Sequence, residues 1–282
     1  MKRIIAKIRR DGFKGAAKAV GQVVHAKLFS ADWDFELVPA LLERILKEKG
    51  GLTLVQVGAN VGDTENDQVY KFVKAHSSGA KIRAIAIEPV RNLYQQLAAN
   101  YADVPGVSCL NVAIAENSGI KPFYRLREGI DLAAHGLPPF SHQLGSFLRE
   151  NLASLWQHDP GNQALKDFVN ANTIEEPVRC LTLAEALTQE NVTDVDLLMI
   201  DTEGYDYQVL RTLDFKRSAP RYINYERIHL GKDEGACRRL LIAHGYGLHD
   251  HGQDTLCTLN QNISVFQRWA QQAYSHWLEA IF

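Results

Sequence analysis

A short apolar run that opens directly into a glycine loop constrains this chain more than any other feature. Residues 53–57 are mostly apolar and β-branched, which is typical of a buried parallel strand. The loop from Gly58 to Gly62, which reads Gly-Ala-Asn-Val-Gly, follows at once and lets the backbone turn tightly. A second apolar run, 82–87, ends at Glu88, where doubly wound folds hydrogen-bond a ribose. The pattern predicts a binding site for a nucleoside-bearing cofactor.

The same loop indicates which kind of cofactor binds. A dinucleotide-binding loop has a middle glycine that admits a pyrophosphate, and a P-loop ends in Lys followed by Ser or Thr. Residues 58–62 have neither feature, so a nucleoside without phosphates fits better, and S-adenosylmethionine is such a molecule. Two alternatives stay open at this point. The loop is a tight turn that only packs the helix, or the protein is an NAD-dependent oxidoreductase, which the absent glycine disfavours.

The composition is that of an ordinary globular protein. The 282 residues are 46% hydrophobic and 23% charged, with a net charge of -2, and they are enough for one large α/β domain or for a domain with appendages. This charge does not suggest binding to nucleic acid. No apolar run reaches the roughly 20 residues that cross a bilayer, and the start has no recognisable secretory signal. We therefore expect a cytoplasmic protein with reduced cysteines.

The N-terminal segment departs from this average. Residues 1–30 carry eight Lys or Arg side chains and a single acid, Asp11, with apolar residues between them. We interpret residues 1–50 as a helical extension whose charges are solvated, and the alternative is a basic amphipathic helix in peripheral contact with an anionic membrane. Within the extension, apolar residues recur at intervals of three and four over 33–49, which predicts a helix that ends at Gly50.

Alternating strand and helix signals predict the main domain over residues 51–260. The alternation indicates an α/β fold with a doubly wound, mostly parallel sheet. It is lost at about 127–176, which we interpret as an insertion that serves as a lid or binding loop. A C-terminal helix is expected over 261–282. The other expected helices lie at about 63–76, 91–101, 205–212 and 234–244, and Thr182 is expected to cap a further short helix. The expected strands lie at 53–57, 82–87, 107–112, 121–126, 178–181, 195–200, 222–225 and 255–259.

Acidic side chains follow three of these strands, namely Glu88, Asp201 with Glu203, and Glu226. In open parallel sheets ligands bind outside the carboxyl ends of the strands, so these acids should share one crevice. His229 follows Glu226 and is expected beside it. A structural interpretation also exists, in which Asp201 or Glu203 caps a helix and Glu226 belongs to an ion pair.

Taken together, these segments resemble the FkbM family of S-adenosylmethionine-dependent methyltransferases. The resemblance runs in order from about residue 52 to residue 259. Its most specific part is Ile-Asp-Thr-Glu-Gly at 200–204, followed by Gly-Ala-Asn-x-Gly at 58–62. The segments that carry it are Val57 to Gly62, Ile87 to Pro89, Asn111 to Ala113, Leu181 to Leu183, Ile200 to Gly204, and Tyr225-Glu226 with His229.

The resemblance implies a class I methyltransferase fold and, for many members, O-methylation of a sugar or another hydroxyl on a secondary metabolite or glycan. Family members usually carry Asp two residues before the first loop glycine. This chain has Gln56 there, which can hydrogen-bond but lacks the charge expected near the methionine end of the cofactor. The implied cofactor site consists of Gln56, Gly58, Asn60 and Gly62 at the methionine end, Glu88 at the ribose, and Asn111 to Ala113 at the adenine.

Methyl transfer to a hydroxyl needs a general base, or a metal that lowers the pKa of the hydroxyl. The candidates are Asp201, Glu203, Glu226 and His229, with His142 of the insertion as an outsider. The three carboxylates are also candidate ligands of a divalent metal such as magnesium. His249-Asp250-His251 lacks a third ligand and is interpreted as a surface turn. We expect an O-methyltransferase with a small-molecule or glycan acceptor, and the alternative is a catalytically silent methyltransferase-like binding domain, which Gln56 would indicate.

Overall fold

The computed structural model describes residues 34–64, 67–79, 81–150, 152 and 163–260. The strands, in chain order, are β1 (Gly51–Val57), β2 (Lys81–Ile87), β3 (Val107–Leu110), β4 (Ala113–Ile114), β5 (Gly119–Leu126), β6 (Gly145–Ser146), β7 (Thr173–Leu181), β8 (Leu197–Ile200), β9 (Tyr222–Glu226), β10 (Tyr246–His251) and β11 (Asp254–Leu259). The α-helices are α1 (Asp34–Lys49), α2 (Gln68–His76), α3 (Arg91–Asn100), α4 (Gln163–Asn172), α5 (Leu183–Gln189), α6 (Asp206–Leu210) and α7 (Glu234–Ala243).

A seven-stranded sheet with the order β10-β11-β9-β8-β1-β2-β3 forms the centre of the fold. The pairs from β9 through β8, β1 and β2 to β3 are parallel, whereas β11 runs antiparallel to both β9 and β10. The order of the strands reverses between β1 and β8, which is where a doubly wound sheet leaves a crevice at its carboxyl edge. The doubly wound, mostly parallel sheet that the sequence predicts is therefore confirmed.

Both faces of the sheet are covered because alternate residues of the parallel strands point to opposite sides. Leu54 of β1 packs in a core with α1, α2 and α3, whereas its neighbour Val55 packs in a second core with α5, α6 and α7. Leu41 and Ile45 of α1 are fully buried in the first core. The helix that we assigned to an N-terminal extension thus contributes to the main core.

The two ends of the chain lie outside the described residues. They include most of the basic extension, for which a membrane contact is the alternative interpretation, and the expected C-terminal helix over 261–282. In the part of the chain that the structure describes, every helix is too short or too polar to cross a bilayer.

A second, four-stranded sheet with the order β4-β7-β5-β6 lies beside the main one. Its longest pair is antiparallel and runs from Gly119 opposite Cys180 to Leu126 opposite Thr173. The prediction that the insertion extends to residue 176 is therefore wrong, because β7 already begins at Thr173. Within the described part of the insertion are β6, α4 and 3₁₀ helices at Ala133–His135 and Pro139–Gln143.

Three local predictions met different outcomes. Thr182 forms a capping box with Glu185 at the start of α5, which confirms it as a helix cap. Helix α2 begins at Gln68 rather than at about residue 63, and Asp67 caps it by accepting a hydrogen bond from the Tyr70 N–H. The surface turn expected at 249–251 is wrong, because these residues form the end of β10, where they pair with β11.

Candidate functional site

A cavity of about 1220 Å³ opens at the carboxyl ends of β1, β2, β8 and β9. Ligand cavities in proteins are usually about 300–1,000 Å³, so this one has room for a cofactor and an acceptor together. Residues from the β1 loop, from the segments after β2, β8 and β9, and from the insertion line it. The structure therefore gathers most of the predicted site residues around one cavity.

The β1 loop is held by main-chain contacts on both sides. The N–H groups of Gly58 and Ala59 both donate to the carbonyl oxygen of Ile87, at 3.0 and 2.9 Å. Gly58 has a φ of 85°, and a Cβ atom there would overlap the main-chain carbonyl of Asp201. The glycine is thus required by the close approach of two strand ends as well as by the turn itself.

Glu88, at the end of β2, is 5% exposed and ties this strand to the loop. One carboxylate oxygen accepts from the Asn60 N–H at 3.0 Å, and the other accepts from the Val90 N–H at 2.8 Å. Burial raises the pKa of Glu88 to about 7, although both hydrogen bonds favour the ionised form. Because each oxygen has a second lone pair, the carboxylate can also accept from ribose hydroxyls in the cavity that it lines.

Two residues expected in the cofactor site interact with neighbouring parts of the protein and do not line the cavity. Gly62 lies outside the cavity lining, and a Cβ atom there would lie 3.0 Å from Leu97 Cδ1. Asn111 also lies outside it, because its side-chain amide donates to the carbonyl oxygens of Glu88 and Pro89 at 3.0 and 2.9 Å. Ala113 does line the cavity, as expected.

Gln56 has a partner that the sequence did not reveal. Its side-chain Nε2 donates to Oδ2 of Asp67 at 3.0 Å, and both residues line the cavity beside the loop. Burial raises the pKa of Asp67, against the hydrogen bonds that it accepts. The signal available in the sequence was only that Asp67 precedes a helix, a position that usually indicates a cap.

Four predicted catalytic residues, Asp201, Glu203, Glu226 and His229, line the same cavity. Asp201 lies at the end of β8, where its N–H donates to the Val57 carbonyl at 3.0 Å. Its side chain is exposed towards the cavity. Glu203 has a φ of 54°, a left-handed conformation that a residue with a side chain rarely adopts. Such backbone strain recurs at functional sites.

Three of these side chains form a compact group. One ligand atom from each of Glu203, Glu226 and His229 lies within 4.8 Å of the other two. His229 Nε2 is 3.7 Å from Glu226 Oε1 and 3.9 Å from Glu203 Oε2, which is beyond hydrogen-bond distance. Asp201 is not in this group, so the set of three carboxylates that we expected around a metal is not the set that the structure brings together.

Burial and like charge determine the electrostatics of this group. Glu226, whose side chain is 12% exposed, has its pKa raised by burial and then by the charges of Asp201 and Glu203. Burial and the charge of Asp201 likewise raise the pKa of Glu203. Burial lowers the pKa of His229, which favours the neutral imidazole over the imidazolium. The group combines a neutral imidazole with carboxyls that hold protons unusually well.

Asp206, a residue that our sequence analysis did not single out, positions the group. It is fully buried, and its carboxylate accepts from Thr202 Oγ1 at 2.9 Å and from the Glu226 N–H at 3.2 Å. Burial and the charge of Asp201 raise its pKa to about 8. Asp206 thus connects the β8 loop to the end of β9. Its place in the first turn of a short helix gave no signal of this role.

The insertion reaches the cavity through several side chains. The Asn60 side-chain amide donates to Gln143 Oε1 at 3.2 Å, which links the β1 loop to the insertion. Phe147 packs on Tyr205 with ring centroids 4.8 Å apart, and both line the cavity. His142 lines it too, but it is not part of the three-residue group.

Three solved structures to which the chain is similar are distant from it in sequence. A ribosomal protein L11 methylase from Lactobacillus delbrueckii subsp. bulgaricus is 11% identical, with 78% of this chain and 74% of that chain covered and a TM-score of 0.37. The O-methyltransferase NovP is 12% identical, with 80% and 79% covered and a TM-score of 0.38. The DszA carbon methyltransferase is also 12% identical, with 81% and 54% covered and a TM-score of 0.38. No curated protein matches the chain in sequence.

The sequence also matches a known family domain over most of its length. The methyltransferase FkbM domain matches residues 56–252, a span that begins at Gln56 in β1 and ends just after β10. It includes the β1 loop, Glu88, the insertion and the Glu203, Glu226 and His229 group. The chain belongs to the FkbM family of S-adenosylmethionine-dependent methyltransferases.

Proposed function

We propose that the protein transfers the methyl group of S-adenosylmethionine to a hydroxyl of a sugar, glycan or secondary metabolite. The single observation that carries the proposal is the group of Glu203, Glu226 and His229 in the wall of the cofactor cavity. A hydroxyl is a poor nucleophile, and it reacts only when a base accepts its proton or a metal lowers its pKa.

The residues around the β1 loop fit the cofactor. Glu88 offers free lone pairs for two ribose hydroxyls, and Ala113 belongs to an apolar wall that suits an adenine. Gln56 has a buried side-chain oxygen with no hydrogen-bond partner in the described residues, as expected where a polar ligand group belongs. When bound, S-adenosylmethionine supplies an electrophilic methyl group on a positively charged sulfur.

We assign His229 as the general base. Because burial lowers its pKa, Nε2 is free to accept the proton of an acceptor hydroxyl at neutral pH. The imidazolium that forms lies beside Glu226 and Glu203, whose oxygens lie 3.7 and 3.9 Å from Nε2. Its positive charge favours loss of the proton from one of these carboxyls, and the resulting ion pair stabilises the imidazolium. In-line alignment of the hydroxyl with the methyl group is the other requirement.

The experiment that tests this proposal follows transfer of a labelled methyl group into extracts of cell-envelope glycans and of small metabolites. Labelled product with an ether-linked methyl group would support O-methylation, and an ester-linked or carbon-linked methyl group would contradict it. His229→Gln should lower the rate about 10²–10⁴-fold while leaving cofactor affinity unchanged. An undiminished rate would remove His229 as the base.

A divalent cation at the same group is the second candidate mechanism. Two carboxylates and one imidazole are ligands that Mn²⁺, Fe²⁺ or Mg²⁺ accepts, and the 3.7 and 3.9 Å separations leave space between them. Exhaustive treatment with a chelator separates the two mechanisms. Activity that is lost and then restored by one added cation would favour the metal, and activity that persists would favour His229 alone.

The alternative of a catalytically silent domain predicts a different result. Such a domain would bind the cofactor without consuming it in any extract. Formation of S-adenosylhomocysteine above the level given by the His229→Gln variant would exclude it.

A further inference from the structure

We propose that Asp67 and Gln56 together form the binding site for the α-ammonium group of the cofactor's methionine end. The inference rests on the proposed use of S-adenosylmethionine in this cavity. It assigns a ligand role to Asp67, which lies 11 residues after Gln56 and caps helix α2.

The first observation is an unsatisfied acceptor on Gln56. This side chain is 9% exposed, lines the cavity, and uses Nε2 to donate to Asp67 at 3.0 Å. Its Oε1 atom is buried and has no hydrogen-bond partner among the described residues. Buried polar atoms in proteins are nearly always paired, so an unpaired acceptor beside a ligand cavity indicates a donor on the ligand.

The orientation of the Gln56 amide follows from its neighbour. The Asp67 carboxylate accepts hydrogen bonds from the Tyr70 N–H at 2.7 Å and from Gln56 at 3.0 Å. An ionised carboxylate can only accept, so the amide must turn its nitrogen towards Asp67 and its oxygen away from it. The unpaired acceptor is therefore Oε1 and not the amino group.

The second observation is the position of the Asp67 charge. Asp67 lines the cavity at the same end as Gln56 and the β1 loop, and N–H groups of Tyr70, Val69 and Gln56 orient its carboxylate. Its two oxygens together have about four acceptor positions, so at least one remains after these three bonds. Glu88, the acid near the opposite end of the loop, is held by Asn60 and Val90 and is placed for the ribose.

The chemistry of an ammonium group matches this pair. It carries a positive charge and three N–H donors, so it needs a negative charge and several acceptors. Asp67 supplies the charge, and Gln56 supplies the unpaired oxygen beside it. Gln56 leaves strand β1 without a charge at this position, and the Asp67 side chain brings a carboxylate there from the start of α2. The cap of helix α2 thus supplies the charge that strand β1 lacks at this position.

Asp67→Asn tests the proposal, because Asn caps helices as well as Asp but carries no charge. Calorimetric titration would use S-adenosylhomocysteine, which has the ammonium group, and 5′-methylthioadenosine, which lacks the whole amino-acid end. We expect the Kd of S-adenosylhomocysteine to rise about tenfold or more and that of methylthioadenosine to stay within about twofold. Asp63→Asn, an exposed change in the same segment, is the matched control and should alter neither.

A double variant that exchanges the two side-chain types provides a stronger test. Gln56→Asp together with Asp67→Asn swaps the carboxylate and the amide, and we expect it to recover most of the affinity for S-adenosylhomocysteine that Asp67→Asn loses. Equal weakening of both compounds by Asp67→Asn, or no weakening of either, would overturn the proposal while the cofactor assignment stands. Failure of the unmodified, folded protein to bind either compound would overturn the proposed function as well.

Discussion

The main-chain carbonyl of Asp201 occupies the space that a side chain on Gly58 would need. The two residues directly follow β1 and β8, the strands between which the order of the sheet reverses. The Asp201 N–H also donates to Val57, directly before Gly58, so the two strand ends are joined on both sides of the contact. This contact holds the β1 loop against the loop that follows β8 and carries Glu203, at the edge of the cavity.

Replacement of Gly58 by Ala should therefore damage both stability and cofactor binding. The added methyl group would push β8 away from β1, at a cost of about 1–3 kcal/mol for overpacking. The left-handed φ of 85° adds about 1–2 kcal/mol of strain. Denaturant unfolding measures the total loss in the free energy of unfolding from these two effects. Gly129→Ala is the control, because Gly129 has a φ of 75° with nothing within 4 Å, so it reports the strain alone. Equal losses in both variants would contradict the role of the Asp201 contact.

Removal of the Glu88 charge should specifically weaken binding of the cofactor. Glu88→Gln keeps the shape but loses the carboxylate that we expect to accept from the ribose, and hydrogen bonds to charged groups contribute about 1.5–3 kcal/mol. Calorimetry should show a Kd for S-adenosylmethionine that is about 10- to 100-fold higher. Because burial raises the pKa of Glu88 to about 7, affinity in the unmodified protein should also increase from pH 6 to pH 8. A pH-independent Kd would argue against a ribose contact.

Local signals were sufficient to predict the part of the fold that carries the cofactor. Strand β1, the glycine loop and Glu88 follow from an apolar run, a backbone requirement and a strand end, all of which are readable over a few neighbouring residues. The capping box at Thr182 is equally local. The convergence of Asp201 and Glu226 on one cavity followed from the topology rule for parallel sheets.

Features that depend on distant partners could not be predicted. Strand β7 contains Pro177 among charged residues, and its extended form depends on pairing with β5, where Pro122 lies opposite Pro177. The contact between Gln56 and Asp67 depends on the path of the intervening loop. The sequence around His251 favours a surface turn, yet His251 is 5% exposed because β11 pairs with its strand.

Truncation of Phe147 should weaken binding of the acceptor and leave binding of the cofactor unchanged. Phe147 of the insertion packs on Phe123 and Tyr205, with ring centroids 5.2 and 4.8 Å apart, and lines the cavity. Phe147→Ala should raise the acceptor KM about tenfold, since a buried aromatic contact contributes one to a few kcal/mol, and should leave the Kd for S-adenosylmethionine unchanged. Phe215→Ala, which removes an aromatic ring outside the cavity lining, should leave KM unaltered. A change in cofactor Kd alone would contradict an acceptor role for the insertion.

The stability of the ligand-free protein should fall as the pH rises from 5 to 8. Burial raises the pKa of Glu88 to about 7 and that of Asp206 to about 8, and it also raises those of Glu203 and Glu226. In the unfolded chain these carboxyls lose their protons near their ordinary pKa values of 3.8 for Asp and 4.5 for Glu. Between these limits the native state holds more protons than the unfolded state, so each increase in pH favours unfolding.

Thermal unfolding measured at pH 5, 6, 7 and 8 checks this prediction, with a decrease of about 2–4 °C for each kcal/mol lost. Asp206→Asn should make the dependence shallower, because the variant has no carboxyl at that buried position and still accepts one of the two hydrogen bonds. Glu150→Gln, a change at an exposed position, should leave the slope as it is. An unfolding temperature that increases from pH 5 to pH 8 would show that the cluster is ionised in the native state, with partners that compensate its charge.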